Sequence, residues 1–220
     1  MAEYRNEPVV VIGLGRFGSA IARELTRRRT EVLAIDRSTK LVQSLSGSLT
    51  QVVAADCTDI EALRELGVDE FYRAVVGVGT DIEASILITS LLVELGVEDI
   101  WAKAITAHHG RILTRVGATH VVFPEREAGE RVAHLVSGQL LDYMQVDDDF
   151  AIAKIRPNRM IVGTTLGKTS VRSKFGITVV AVKRADGEFT YATPETEVTY
   201  DDIILVTGRV KDIDRLVGAG

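Results

Sequence analysis

Gly13-Leu14-Gly15-Arg16-Phe17-Gly18 is a G-x-G-x-x-G that follows the apolar run Val9–Ile12 and opens a segment of helical period. In that setting the first glycine permits a tight turn and the second lets the backbone approach a pyrophosphate. The third allows close helix–strand packing, and the phosphates rest on the helix N-terminus. Asp36 lies eighteen residues beyond Gly18, where a carboxylate accepts both hydroxyls of an adenosine ribose and repels a 2′-phosphate. Arg37 beside it can soften that repulsion or stack on adenine. Asp56 is placed to accept from the adenine amino group or to cap a helix, with Asp59 competing for the cap. Val78 and Gly79 follow a further apolar run and should reach the mouth of the crevice. Arg16, inside the glycine loop, is positioned to meet phosphate oxygens in bidentate fashion. Lys103 ends an apolar run where burial of its charge is costly unless it faces the crevice.

These residues need a scaffold, and up to about residue 124 the chain supplies one. Short β-branched runs at 9–12, 31–35, 51–54, 74–76, 100–103 and 121–123 alternate with helical segments at 17–28, 58–66, 82–95 and 110–116. This predicts a six-stranded parallel sheet, its nearly uniformly apolar strands buried on both faces by helices. Arg27-Arg28-Arg29 suits the C-terminal end of the first helix. After Pro124, residues 125–143 read as one long connector helix interrupted by Gly138, and Asp147-Asp148-Asp149 as a solvated turn rather than a metal site. A small α+β module follows: strands at 150–155, 177–183 and 203–207, a helical patch at 167–175, a hairpin turn at Ala185-Asp186-Gly187 feeding 189–192, and a final helix near 210–216. The expected domains are residues 1–136, Rossmann-like and α/β, and 137–220.

Composition removes several classes of function. With 220 residues, 46% hydrophobic and 26% charged, the chain can bury a core, and its net charge of −5 gives no pull toward nucleic acid. The apolar runs are far shorter than the ~20 residues of a membrane helix. The opening residues lack signal-peptide character, and one cysteine, Cys57, cannot form an internal disulfide, so the cytoplasm is the expected location. A dehydrogenase needs an acid or base against a nicotinamide. The histidines His108, His109, His120 and His134 compose no such arrangement, and none lies in the small second module. No Ser-His-Asp set and no metal-spaced Cys/His cluster is present, and Cys57 is expected to pack beside the third strand.

The glycine loop, Asp36 and Asp56, followed in order by Ala84-Ser85-Ile86-Leu87, Trp101-Ala102-Lys103-Ala104, His109-Gly110-Arg111-Ile112-Leu113 and Phe123-Pro124-Glu125, resembles the cytosolic regulatory subunits of Trk/Ktr potassium-uptake systems. Those proteins are built from RCK domains. Gly163-Thr164-Thr165-Leu166, Val171-Arg172-Ser173-Lys174-Phe175-Gly176, Pro194 and Asp202-Ile203-Ile204-Leu205 are similar to the C-terminal module of that family, so the resemblance spans nearly the whole chain. It implies a non-enzymatic gating subunit that binds ATP, ADP, NAD or NADH. Homodimers would assemble into a ring, usually octameric, under a membrane potassium-translocating partner on the cytoplasmic face. It adds Cys57, Ala104 and His109 to the cofactor-binding residues. It also implies that Arg16 reaches a terminal phosphate, that of a neighbouring subunit included, and that Glu125 helps hold Mg²⁺ or Ca²⁺. Cyclic di-AMP bound between paired C-terminal modules would use the positions of Arg172, Thr178 and Pro194; Thr178 departs from the asparagine often found there, and Asp201-Asp202 from the usual Gly-Asp. The glycine loop and Asp36 alone would also suit a small NAD-dependent oxidoreductase or redox sensor. A subunit serving a cation/proton antiporter or channel would share the same folds.

Overall fold

The computed structural model describes residues 7–136, 140–185 and 187–219. The expected helix break at Gly138, the expected turn tip at Asp186 and residues 1–6 lie outside them. The chain forms two compact units, Met1–Glu125 and Arg126–Gly220.

In the first unit, strands β1 (Val9–Ile12), β2 (Val32–Asp36), β3 (Gln51–Ala54), β4 (Arg73–Val76), β5 (Asp99–Lys103) and β6 (His120–Val122) alternate with helices α1 (Arg16–Arg27), α2 (Thr39–Leu45), α3 (Ile60–Glu65), α4 (Ile82–Glu94) and α5 (Ala107–Val116). The sheet is parallel throughout, in the order β3-β2-β1-β4-β5-β6. Each crossover is therefore a βαβ unit, and the order reverses between β1 and β4, where open α/β sheets bind ligands. Every residue of β1 is buried. Alternate β1 side chains feed two cores: Val10 and Ile12 join Ala74, Val76, Ile100 and Leu113 on one face, while Val9 and Val11 join Val32, Ala34 and Ala22 on the other.

The expectation of strands buried on both faces holds only for the middle of the sheet. β3 and β6 are edge strands with exposed positions, and Trp101 of β5 is exposed as well. The segment between β2 and β3, where no helix is expected from the sequence, folds as α2; Ser38 caps it by accepting the Leu41 N–H.

A further correction concerns the connector. Helix α6 spans Pro124–Val136, and Asp142–Asp147 is strand β7 rather than the end of that helix. Tyr143, Gln145 and Asp147 alternate with Asp142, Met144 and Val146, and the strand pairs antiparallel with β8 (Phe150–Ile155) around the Asp148-Asp149 turn. Its alternation gives no inward apolar face, because Met144 and Val146 are exposed and only Tyr143 of the strand is buried. With β9 (Thr178–Lys183), β10 (Phe189–Tyr191) and β11 (Ile203–Arg209), the second unit forms an antiparallel sheet in the order β10-β9-β11-β8-β7. Helices α7 (Val171–Phe175) and α8 (Val210–Gly218) cover the face carrying Ala151, Ala153, Ile155, Ile204 and Val206. The helical patch at 167–175 resolves into a short 3-10 turn, Leu166–Lys168, and the five residues of α7.

Candidate functional site

A cavity of about 640 Å³ opens at the reversal point, over the C-terminal ends of β1, β2 and β4. Its lining brings together Gly13, Gly15, Arg16, Phe17, Asp36, Arg37, Asp56, Cys57, Val78, Gly79, Lys103 and Glu125, residues that span more than a hundred positions of sequence.

The glycine loop divides its labour. Gly13 has φ +88°, and a Cβ there would stand 2.7 Å from Val78 Cγ2; a side chain is excluded twice, by backbone conformation and by space. A Cβ at Gly18 would lie 1.9 Å from the Gly13 carbonyl oxygen, so Gly18 lets α1 pack on the loop although it does not line the cavity. Gly15 is different. Its φ is −61°, and no protein atom lies within 4 Å of where its Cβ would be. The fold tolerates a side chain there, and what the missing one leaves open is the cavity over the start of α1.

That helix start is unusual within the unit. Ser38, Asp59, Asp81 and Thr106 cap α2, α3, α4 and α5 with side-chain oxygens. α1 has no side-chain cap, no acid in its first turn, and the exposed Arg16 as its first residue. Unsatisfied N–H groups, the dipole and a guanidinium together make a positive pole, suited to a phosphate ligand.

At the other end, Asp36 closes β2. Its Oδ2 accepts the Leu14 N–H at 2.6 Å and its Oδ1 accepts the Ser38 N–H at 2.8 Å. Each oxygen keeps a lone pair for a further donor. Asp59 takes the cap of α3, which leaves Asp56 facing the cavity; its Oδ1 accepts both the Thr58 N–H and hydroxyl. Those bonds, led by the hydroxyl's, hold the Asp56 carboxyl below the usual range. Cys57 is buried, and desolvation first, then the charges of Asp56 and Asp36, push its thiol up to about 12. Arg37 reaches toward Asp81, 3.7 Å away, across the rim.

Lys103 ends β5 with its ammonium donating to Glu125 Oε1 at 2.5 Å. This bond, and more weakly the charge of Arg16, lowers the Glu125 carboxyl. Among the described residues no group of three or more His, Cys, Asp or Glu side chains could hold a metal ion. Glu125 is a single carboxylate engaged by an ammonium.

Ala104 and His109 do not line the cavity. Both are buried, Ala104 beyond the end of β5 and His109 in the first turn of α5. His109 Nδ1 accepts the Ile105 N–H at 3.5 Å and its Nε2 has no partner among the described residues. In the second unit Arg172 is exposed on α7, Thr178 begins β9, and Pro194 packs against Gly167, accepting its N–H at 2.7 Å. A second cavity there, about 690 Å³, is lined by Arg131, Asp142, Tyr143 and Lys154 among others and by none of those three.

The sequence reading missed Gly77, Thr80 and Asp81 in the first cavity. A Cβ at Gly77 would stand 2.8 Å from the Gly13 oxygen. The signal was present: Gly77-Val78-Gly79 ends a strand, and Asp81 precedes a helical run.

Comparisons with known proteins agree with this geometry. Residues 9–124 match the TrkA-N domain and residues 150–217 the TrkA-C domain. The chain is 39% identical over 208 residues to Ktr system potassium uptake protein C of Bacillus subtilis, covering 93% of each. It is 33% identical over 221 residues to Ktr system potassium uptake protein A of the same organism, covering 100% of each. Among solved structures, the GsuK RCK domain superposes with a TM-score of 0.65 at 18% identity over 99% of this chain; the chain spans about half of that one, 49%. The last likeness is one of fold.

Proposed function

Because the chain belongs to the family defined by the TrkA-N and TrkA-C domains, we propose that it is a nucleotide-binding regulatory subunit of a potassium-uptake system. One observation carries the ligand class: Gly15, where a Cβ would meet no other part of the protein within 4 Å, opens the uncapped, positively poled start of α1 to a cavity that ends at Asp36. In this reading an adenine nucleotide, ATP, ADP or NAD(H), lies with its ribose hydroxyls on Asp36, its adenine near Arg37 and Asp56, and its phosphates on the N–H groups of α1 with Arg16 and Lys103 beside them. The Ktr relatives support the choice of system. The subunit would sit on the cytoplasmic face, bound to a membrane potassium-translocating partner, and work as a homo-oligomeric ring.

The role is regulation rather than turnover. No histidine lines the cavity, and a thiol pushed up to about 12 is no thiolate nucleophile at neutral pH. A ligand gates only by binding two conformations of the ring with different free energy. The adenosine end is common to all these nucleotides, so the difference between di- and triphosphate must be read at Arg16, Lys103 and Glu125. Cyclic di-AMP would be a separate ligand of the second unit, at Arg172, Thr178 and Pro194.

Calorimetric titration of nucleotide-stripped protein with ATP, ADP, NAD and NADH tests the reading. Saturable one-to-one binding of adenine nucleotides, lost in Asp36→Ala and without NADH turnover, is expected. Steady oxidation of NADH by an added substrate would replace it with a redox enzyme.

A further inference from the structure

Lys103 is held on three sides. Its side chain is 12% exposed. Its Cε and Nζ lie 3.1 and 3.3 Å from where a Cβ on Gly79 would be, its Nζ is 5.8 Å from the centroid of the Phe17 ring, and it donates to Glu125 at 2.5 Å. Phe17 belongs to the first turn of α1, and all four residues line the same cavity. The ammonium is thus fixed beside the uncapped helix start, already neutralised by Glu125. That carboxylate is 61% exposed, on the second residue of α6, free to turn toward water without any change in the core.

A phosphate chain arriving at α1 meets a cation in use and a carboxylate that repels it. An ammonium has three donors and can be shared, but a polyphosphate carries more charge than one carboxylate and would lie nearer the helix dipole. We propose that Lys103 is exchanged on binding: Glu125 holds it in the free protein, and the ligand's phosphates take it over and release Glu125. This rests on the nucleotide reading above. Glu125 is then a built-in competitor, which makes affinity depend on phosphate number, and the start of α6 is tied to the end of β5 only while the phosphate position is empty.

The test is a double-mutant cycle by calorimetry in EDTA, with adenosine, AMP and ADP as probes, on wild type, Lys103→Met, Glu125→Gln and the double variant. Glu125→Gln is expected to tighten ADP on the order of fivefold, the scale of a partly exposed ion pair, and to leave adenosine unchanged. Lys103→Met should weaken ADP. The gain from Glu125→Gln should shrink in the Lys103→Met background, because there is no longer a pair to break. An equal gain in both backgrounds would mean that Lys103 stays on Glu125, and the exchange would be overturned while the nucleotide reading stood. Failure of wild type to bind either adenosine or ADP would overturn both. If Lys103→Met does not fold, Lys103→Gln takes its place in the cycle and is read by the same rule, and an unchanged ratio of ADP to adenosine affinity in Glu125→Gln refutes the exchange in either case.

Discussion

The carboxylate of Asp36 accepts the backbone N–H of Leu14 at 2.6 Å, so the residue placed to receive a ribose also ties the end of β2 to the glycine loop after β1. Its second oxygen is engaged by Ser38, which fixes the carboxylate plane before any ligand arrives. Asp36→Ala removes both bonds. We expect a loss of about 1–2 kcal/mol in unfolding free energy, measured by urea denaturation, and at least about tenfold weaker adenosine binding, the scale of an unmade charge-assisted bond. Weaker folding with unaltered adenosine affinity would leave Asp36 a purely structural clamp.

Gly15→Ala and Gly18→Ala, three positions apart in one loop, should separate binding from folding. At Gly15 the new methyl meets no protein atom, so stability should stay within about 0.5 kcal/mol. Phosphate-bearing ligands should nevertheless bind much more weakly, because the methyl stands where the helix N–H groups open to the cavity. At Gly18 the methyl would lie 1.9 Å from the Gly13 oxygen, and overpacking should cost about 3 kcal/mol. Equal stability losses in the two variants would contradict this division.

The first unit was legible because its signals are local and repeated. An apolar run, a glycine loop at its end and an acid at the end of the next strand specify β1, α1 and β2 together, and β-branched runs fixed the other strands to within a residue or so. What escaped was set by tertiary context. α2 begins at Thr39 after its Ser38 cap, and seven residues are too few to display a helical period. β7 is an edge strand with a single buried side chain, Tyr143, and its register comes from β8. His109 and Ala104, carried into the site by likeness of sequence, are buried in the first turn of α5 and just after β5, and motif order alone says nothing about which face a side chain takes. The bond between Lys103 and Glu125, twenty-two positions apart, has no sequence signature at all.

Cys57 should be inert in the folded protein. Burial, reinforced by Asp56 and Asp36, raises its thiol to about 12, so the thiolate is a minute fraction at pH 8. Labelling by an aromatic disulfide reagent at pH 8 is expected to be at least about a hundredfold slower in native protein than in urea, judged from that thiolate fraction. Fast stoichiometric labelling of the native chain would revive a redox-sensing role for this cavity.

His109 sets a pH dependence whose sign follows from its surroundings. Its ring is buried, Nδ1 accepts the Ile105 N–H, and desolvation lowers its pKa below the ordinary value. The folded chain therefore prefers the neutral ring, whereas the unfolded chain takes up a proton near pH ~6.5. Below that pH the unfolded state binds more protons, so unfolding free energy falls with falling pH; above it the contribution is complete. Urea denaturation between pH 5 and 7.5 should show this slope, and His109→Gln, which cannot titrate, should flatten it even if its absolute stability at pH 7.5 is lower. A slope in His109→Gln as steep as in wild type would mean that acid sensitivity arises from other groups and that the buried imidazole is already accommodated in its charged form.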